Sequence, residues 1–183
     1  MANTVSRALH DVGLAAWFGG TLANAVALNA AAAEASDASS TGRVANAGWD
    51  RWTPVNAAAI GAHVVGSVGQ LAGNRSRVGA QQGVASMVVL KTLVTAGALG
   101  ATAYSRTLGK KVSEQHSVPA ESGTTPTTTT PPDVASAQRQ LAAMQWVVPA
   151  LTGALVVISS YAGEQQRATE VHKGVAARFT NRG

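Results

Sequence analysis

No cysteine occurs in the 183 residues, which removes disulfides, thiolate metal sites, cysteine-ligated iron–sulfur clusters and thiol catalysis together. The usual catalytic signatures are missing too. There is no phosphate-cradling GxxxxGK[ST], no dinucleotide-binding GxGxxG, no HExxH and no GxSxG nucleophile elbow. Ser159, Ser160 and Tyr161 have no acid–base partner near them in sequence, and such hydroxyls in apolar helices usually bond to backbone. These absences lead to the expectation of a protein that is not an enzyme. The remaining absence is of charge, and it is local. Four windows, Asp11 to Glu34, Arg51 to Arg75, Arg77 to Arg106 and Arg139 to Glu164, hold no charged residue inside them except Lys91. A soluble helical bundle carries charge every turn or two on its outer faces. Windows this long instead match the ~20 residues that a helix needs to cross a ~30 Å hydrocarbon core.

The mean hydropathy is only +0.10, because Ala, Gly and Thr dilute the apolar stretches. The formal net charge of +5 does not point to nucleic acid, since the basic residues are scattered at the ends of the windows rather than massed in a patch. The composition predicts an all-α, integral membrane four-helix bundle forming a single domain over 1–183, with spans at about 12–33, 53–73, 83–104 and 144–163. Membrane lipids are the implied partners. A cleavable signal peptide is the competing reading of the first run. Arg7 leads into it and a small-residue stretch ends it, but the run is longer than a usual h-region and contains Gly19, Gly20, Asn24 and Asn29.

The second span has the clearest signals. Trp49 and Trp52 stand where indoles favour the membrane interface. Thr53 is a candidate N-cap and Pro54 a candidate first helical residue. Gly69 and Gly73 form a GxxxG pair beside a row of Ala62, Gly66 and Gln70, a pattern that lets helix backbones approach closely. Asn74 to Gln82 reads as a short turn, which predicts spans two and three as antiparallel neighbours. Residues 34–52 read as a loop ending in a short interfacial helix.

Residues 106–132 read as a linker. Six Thr and three Pro fall between Thr124 and Pro132, a composition expected to be mobile and extended. Asp133 is a candidate N-cap for the fourth helix, and Pro149 is expected to kink it or mark its entry. In the tail, 164–183, Val171, Val175 and Phe179 recur every fourth residue; this fits a helix on the membrane surface or a frayed end equally. Four spans place both termini on one side. The basic residues divide seven to six between the two sides, so the positive-inside rule casts no vote. Cytoplasmic termini are expected only from the habit of Thr/Pro segments to lie outside the cell.

Polar residues within the spans are the candidate functional groups. Lys91 lies in span three, with no Asp or Glu inside any span to pair with it. Three fates are open to it: snorkelling toward Gly83, binding an anionic group such as a lipid phosphate or a carboxylate in a wet cleft, or meeting a carboxylate of a partner protein. His63 lies at a similar depth, with Asn24, Thr21 and Thr152 at comparable levels. Its ordinary reading is a neutral imidazole bonded to neighbouring polar groups. A haem held by His10 and His63 is not expected, since His10 is read at the membrane edge and His63 about 15 Å further in. No cofactor and no metal site is expected.

Leu9 to Val26, LHDVGLAAWFGGTLANAV, carries a histidine at the helix start, His10, followed by Trp17-Phe18-Gly19-Gly20. This resembles the first helix of small four-helix bacterial membrane families, including copper-resistance-D-like proteins. The resemblance covers one helix of four and implies a four-span fold. The chain has no cysteine and no clustered methionine with which to handle copper. The Ala/Gly/Val bias fits a high-GC bacterium. Two functions remain open: an accessory or scaffold subunit that docks on a larger membrane complex or on a second copy, and a small transporter or lipid-binding bundle with a cleft lined by His63, Lys91 and Asn24.

Overall fold

The computed structural model describes residues 2–81, 83–114 and 118–164. The fold is all-α, with four helices long and apolar enough to cross a membrane: Thr4–Ala33, Ala38–Gly73, Val84–Ser113 and Pro132–Glu164. The tail expected over 164–183 lies outside the described residues beyond Glu164.

The first span is composite. Helix α1 (Ala2–Ala23) passes through a π-helical turn, Asn24–Leu28, into α2 (Asn29–Ala33). Helix α3 (Ala38–Gly73) is continuous through the stretch read as loop and interfacial helix. It starts at Asp37, whose carboxylate accepts from the Ser40 backbone N–H at 2.9 Å and from its hydroxyl at 2.7 Å. Thr53 and Pro54 are therefore interior residues, not the cap and first turn. Pro54 costs one helical hydrogen bond, to the Asp50 carbonyl; beside it the Thr53 hydroxyl donates to the Trp49 carbonyl at 2.9 Å. The expected turn after α3 contains a one-turn helix, α4 (Arg75–Ala80), before Gly83, whose φ of 82° starts α5 (Val84–Ser113). Helix α6 (Pro132–Glu164) puts Asp133 in its first turn and Pro149 in its interior.

The packing order departs from the expected one. Helix α1 lies along α3, α5 lies along α6, and α1 against α6 joins the two pairs, whereas α3 and α5 scarcely touch. Spans two and three are consecutive but are not packed neighbours. Glycine explains the preference for α1. A methyl group built on Gly13 would sit 2.5 Å from the Ala59 oxygen and the His63 nitrogen, and one on Gly66 would overlap the His10 backbone. Gly69 lies against Ser6 in the same way. The small-residue face predicted from the sequence is thus used inside the chain, at Gly66 and Gly69. The apolar core at this junction is Leu14, Trp17, Ala59, Ala98, Val148 and Leu155.

The Thr/Pro segment is folded rather than extended. Strands β1 (Ala120–Ser122) and β2 (Thr125–Pro126) pair antiparallel, and Val118, Ala120, Thr124 and Thr130 are buried. Asn29 ties this hairpin to the bundle. Its amide donates to Gln145 Oε1 at 2.7 Å and its oxygen accepts from Trp49 Nε1 at 3.1 Å. Gln145 in turn reaches Thr124 Oγ1 at 3.4 Å, and a methyl group on Gly123 would strike the Asn29 side chain. The polar composition predicted no core, but a threonine-rich segment can fold when its hydroxyls bond locally, as Thr130 Oγ1 does to the Pro119 carbonyl at 2.5 Å.

Three outcomes test this packing. Gly66→Val should cost about 1–3 kcal/mol by overpacking and lower the thermal unfolding midpoint in detergent, while Gly61→Val, where a side chain meets nothing within 4 Å, should leave it near wild type. Asn29→Ala should leave the Trp49 and Gln145 groups unpaired, a loss of about 1–3 kcal/mol, seen as faster hydrogen exchange over residues 118–131. The Ser40 bonds hold the Asp37 carboxyl at about 2, below its ordinary 3.8. Its cap is therefore complete above about pH 3.8 and is lost as pH falls through about 2, which exchange of the first-turn amides of α3 should follow.

Candidate functional site

Lys91 lies two turns into α5, and its partner is His10. Lys91 Nζ is 3.1 Å from His10 Nε2, and His10 Nδ1 is 2.7 Å from the Asp11 carboxylate. A neutral imidazole satisfies both contacts if Nδ1 carries the proton and donates to Asp11, which leaves the Nε2 lone pair to accept from the ammonium. His10 itself is 1% exposed, whereas the Asp11 side chain is 58% exposed. The unpaired lysine expected from the sequence is thus bonded within the chain. Because the first span begins at Thr4, Asp11 falls inside it, so a carboxylate is closer to Lys91 than the predicted span boundaries allowed.

His63 is fully buried behind His10. The ring centroids are 4.5 Å apart at 43°, and Trp17 meets the other side of His63 edge-on at 6.0 Å. His63 Nδ1 approaches the His10 carbonyl at 3.3 Å, and its Nε2 is buried without a partner. The two histidines therefore lie at one level, which corrects the depth argument made against a shared haem. Their direct contact leaves no room for a porphyrin between them. Among the described residues, no three His, Cys, Asp or Glu side chains converge as metal ligands would.

The sequence carries a signal for this arrangement that depth counting passed over. His-x-x-Gly occurs at 10–13 and again at 63–66, and nowhere else in the chain. On a helix these positions share a face. In the structure Gly13 lies beneath the His63 backbone and Gly66 beneath that of His10. Each glycine makes room for the other helix's histidine.

Asn24 does not join the cluster. It sits in the π-helical turn, about 21 Å along the helix from His10 at 1.5 Å per residue, with its amide nitrogen buried and unpartnered. Thr21 and Thr152 turn their hydroxyls onto their own helices, to Trp17 O at 2.7 Å and Val148 O at 2.8 Å.

Where α3 and α5 part, the structure is open. At the His10 end lies a cavity of about 420 Å³. Lys91, Arg77, Gln70 and Asn74 supply its polar wall, and Val64, Val68, Leu71, Met87 and Val88 its apolar one. Among the described residues, no Asp or Glu lines it. Arg77 also holds Gln81 Oε1 at 2.8 Å through Nη2. Gln70 Nε2 is buried without a partner. At the hairpin end a second cavity, of about 340 Å³, lies between Trp52, Asn56 and Ile60 of α3 and Thr102, Arg106 and Val112 of α5. No family model, no curated protein and no solved structure matches the chain.

His10→Ala should remove the acceptor of Lys91 and the ring neighbour of His63 together. It is expected to destabilise the bundle more than His63→Gln does, as read by thermal unfolding in detergent, since only the first change takes the acceptor from a half-buried cation.

Proposed function

We propose that this protein is a non-enzymatic membrane bundle that binds an amphiphile with an anionic head group in the cleft between α3 and α5. The observation that supports this reading most directly is the cavity wall at the His10 end. Among the described residues it presents two cationic side chains, Lys91 and Arg77, above a face of valine and leucine. An ammonium in a low-dielectric site is costly unless it has a counter-charge. His10 supplies a hydrogen-bond acceptor, with the exposed Asp11 carboxylate on its far side, and a phosphate or carboxylate head group would supply a direct counter-charge on the cavity side. The apolar wall suits the attached chains.

The accessory-subunit reading has less behind it. Its motives are the small-residue helix faces, a lysine with no carboxylate in any predicted span, the Thr/Pro segment and the absence of catalytic motifs. Gly13, Gly66 and Gly69 are covered by the chain's own helices, and Lys91 bonds to His10.

The test is purification of the full chain in mild detergent followed by native mass spectrometry. A co-purifying anionic phospholipid is expected. Lys91→Gln should weaken its retention about 10- to 100-fold, the loss of one charge-assisted bond of about 1.5–3 kcal/mol, with zwitterionic lipid retained as in wild type. A stoichiometric protein partner with no bound lipid would overturn this reading and restore the subunit role.

A further inference from the structure

The two cavities adjoin end to end. Both are walled by α3 and α5, the hairpin-end one also by Met144 and Val148 of α6, and Leu99 lines both. On α3 the walls run from Asn46 to Asn74, about 42 Å at 1.5 Å per residue. That matches the ~40–45 Å of a bilayer including its head-group regions. In a bilayer, a cleft of that length would reach from one head-group layer to the other.

One face of α5 lines its whole length. Lys91, Thr95, Leu99, Thr102 and Arg106 all border the cavities, and their spacing of four, four, three and four residues places them on a single helical stripe. Four of the five are polar, in a helix otherwise apolar enough to span. Across from them on α3 stand Ser67 toward one end and Asn56 toward the other. Cations occupy both ends of the stripe: Lys91, with Arg77 nearby, at one, and Arg106 at the other. Arg106 is held at the rim by Asp50 at 3.3 Å. Leu99 is the apolar step between the chambers, with Ile60 beside it on the second wall.

A single binding site needs one charged end. A polar stripe that joins cationic ends across the full bilayer thickness, in a cleft open at the side, instead suits a head group that travels while its acyl chains stay in lipid. We infer that the protein moves anionic phospholipid between the two leaflets along the α3–α5 cleft, with Leu99 as the constriction. This rests on the lipid-binding reading above and adds transfer to it. The step is a passive exchange: no bond is made or broken and no energy source is required.

The experiment uses the full chain in vesicles of phosphatidylcholine and phosphatidylglycerol that carry a trace of phosphatidylglycerol labelled with nitrobenzoxadiazole on one acyl chain. Dithionite added outside bleaches only outer-leaflet label in protein-free vesicles, and a trapped water-soluble nitrobenzoxadiazole sugar confirms that the vesicles stay sealed. With the protein present, the inner-leaflet pool is expected to bleach as well. Leu99→Trp should slow that phase at least tenfold and Leu99→Ser should hasten it, so the opposed variants separate a blocked path from a misfolded chain. Lys91→Gln should slow it also. If the inner pool stays protected while native mass spectrometry still shows bound phosphatidylglycerol, transfer is overturned and binding stands. If neither bleaching nor bound lipid is seen, both fall. Bleaching of the inner pool at one rate in wild type and all three variants would place any transfer outside this cleft and overturn the inference.

Discussion

Two backbones meet where Gly13 and Gly66 leave no side chain between them, and the rest of the bundle follows from that contact. A side chain at either position would collide with the opposite helix backbone beside a histidine. The close approach brings the His10 and His63 rings into tilted contact and buries both. Buried imidazoles need partners: His63 Nδ1 finds the His10 carbonyl while its Nε2 has none, and His10 meets Asp11 and Lys91. Lys91 then draws α5 to the α1 side of the site. A close-packed pair of helices, rather than any one residue, is what permits a lysine to lie this far along an apolar span.

The same pairing leaves α3 and α5 apart. Helix α1 occupies the inner face of α3, and α6 occupies α5, so the two consecutive spans face each other across a cleft. The side chains along that cleft are not those of an ordinary lipid-facing surface. Elsewhere the outward positions are apolar, as at Val65, Val89, Leu93 and Val157. Along the cleft, threonine, asparagine and cationic groups recur among the apolar side chains. At the hairpin end, Asn29, Trp49, Gln145 and Thr124 join three helical elements and the loop in one hydrogen-bonded group, which fixes the rim of the cleft on that side.

Much of the architecture was legible from the order of residues. The four charge-free windows located four spans, because a charge facing hydrocarbon is costly wherever it lies in the fold. Span ends were less legible. Trp49, Thr53 and Pro54 read as a helix start, yet α3 begins at Asp37, since a proline's lost hydrogen bond is small against the packing of a long helix on α1. The Thr/Pro segment read as an extended linker because composition measures apolar burial and not hydroxyl-to-backbone bonding, and here the latter folds it. Of the three candidate site residues, Lys91 and His63 come to one cluster and Asn24 does not. Depth along a helix was counted from misplaced ends, and rotation about the helix was not counted at all.

The sequence by itself determined what local chemistry controls: an all-α chain, four apolar helices, a polar segment between the last two, and a single lysine within the apolar windows. Tertiary structure alone decided which helices pair, which glycines serve the pairing, and that Lys91 meets His10 beside a cleft. The physical reason is that helix propensity and hydropathy act residue by residue, whereas pairing depends on two surfaces fitting. Gly13 and Gly66 each look unremarkable on their own helix, and they acquire meaning only when each is set against the histidine of the other.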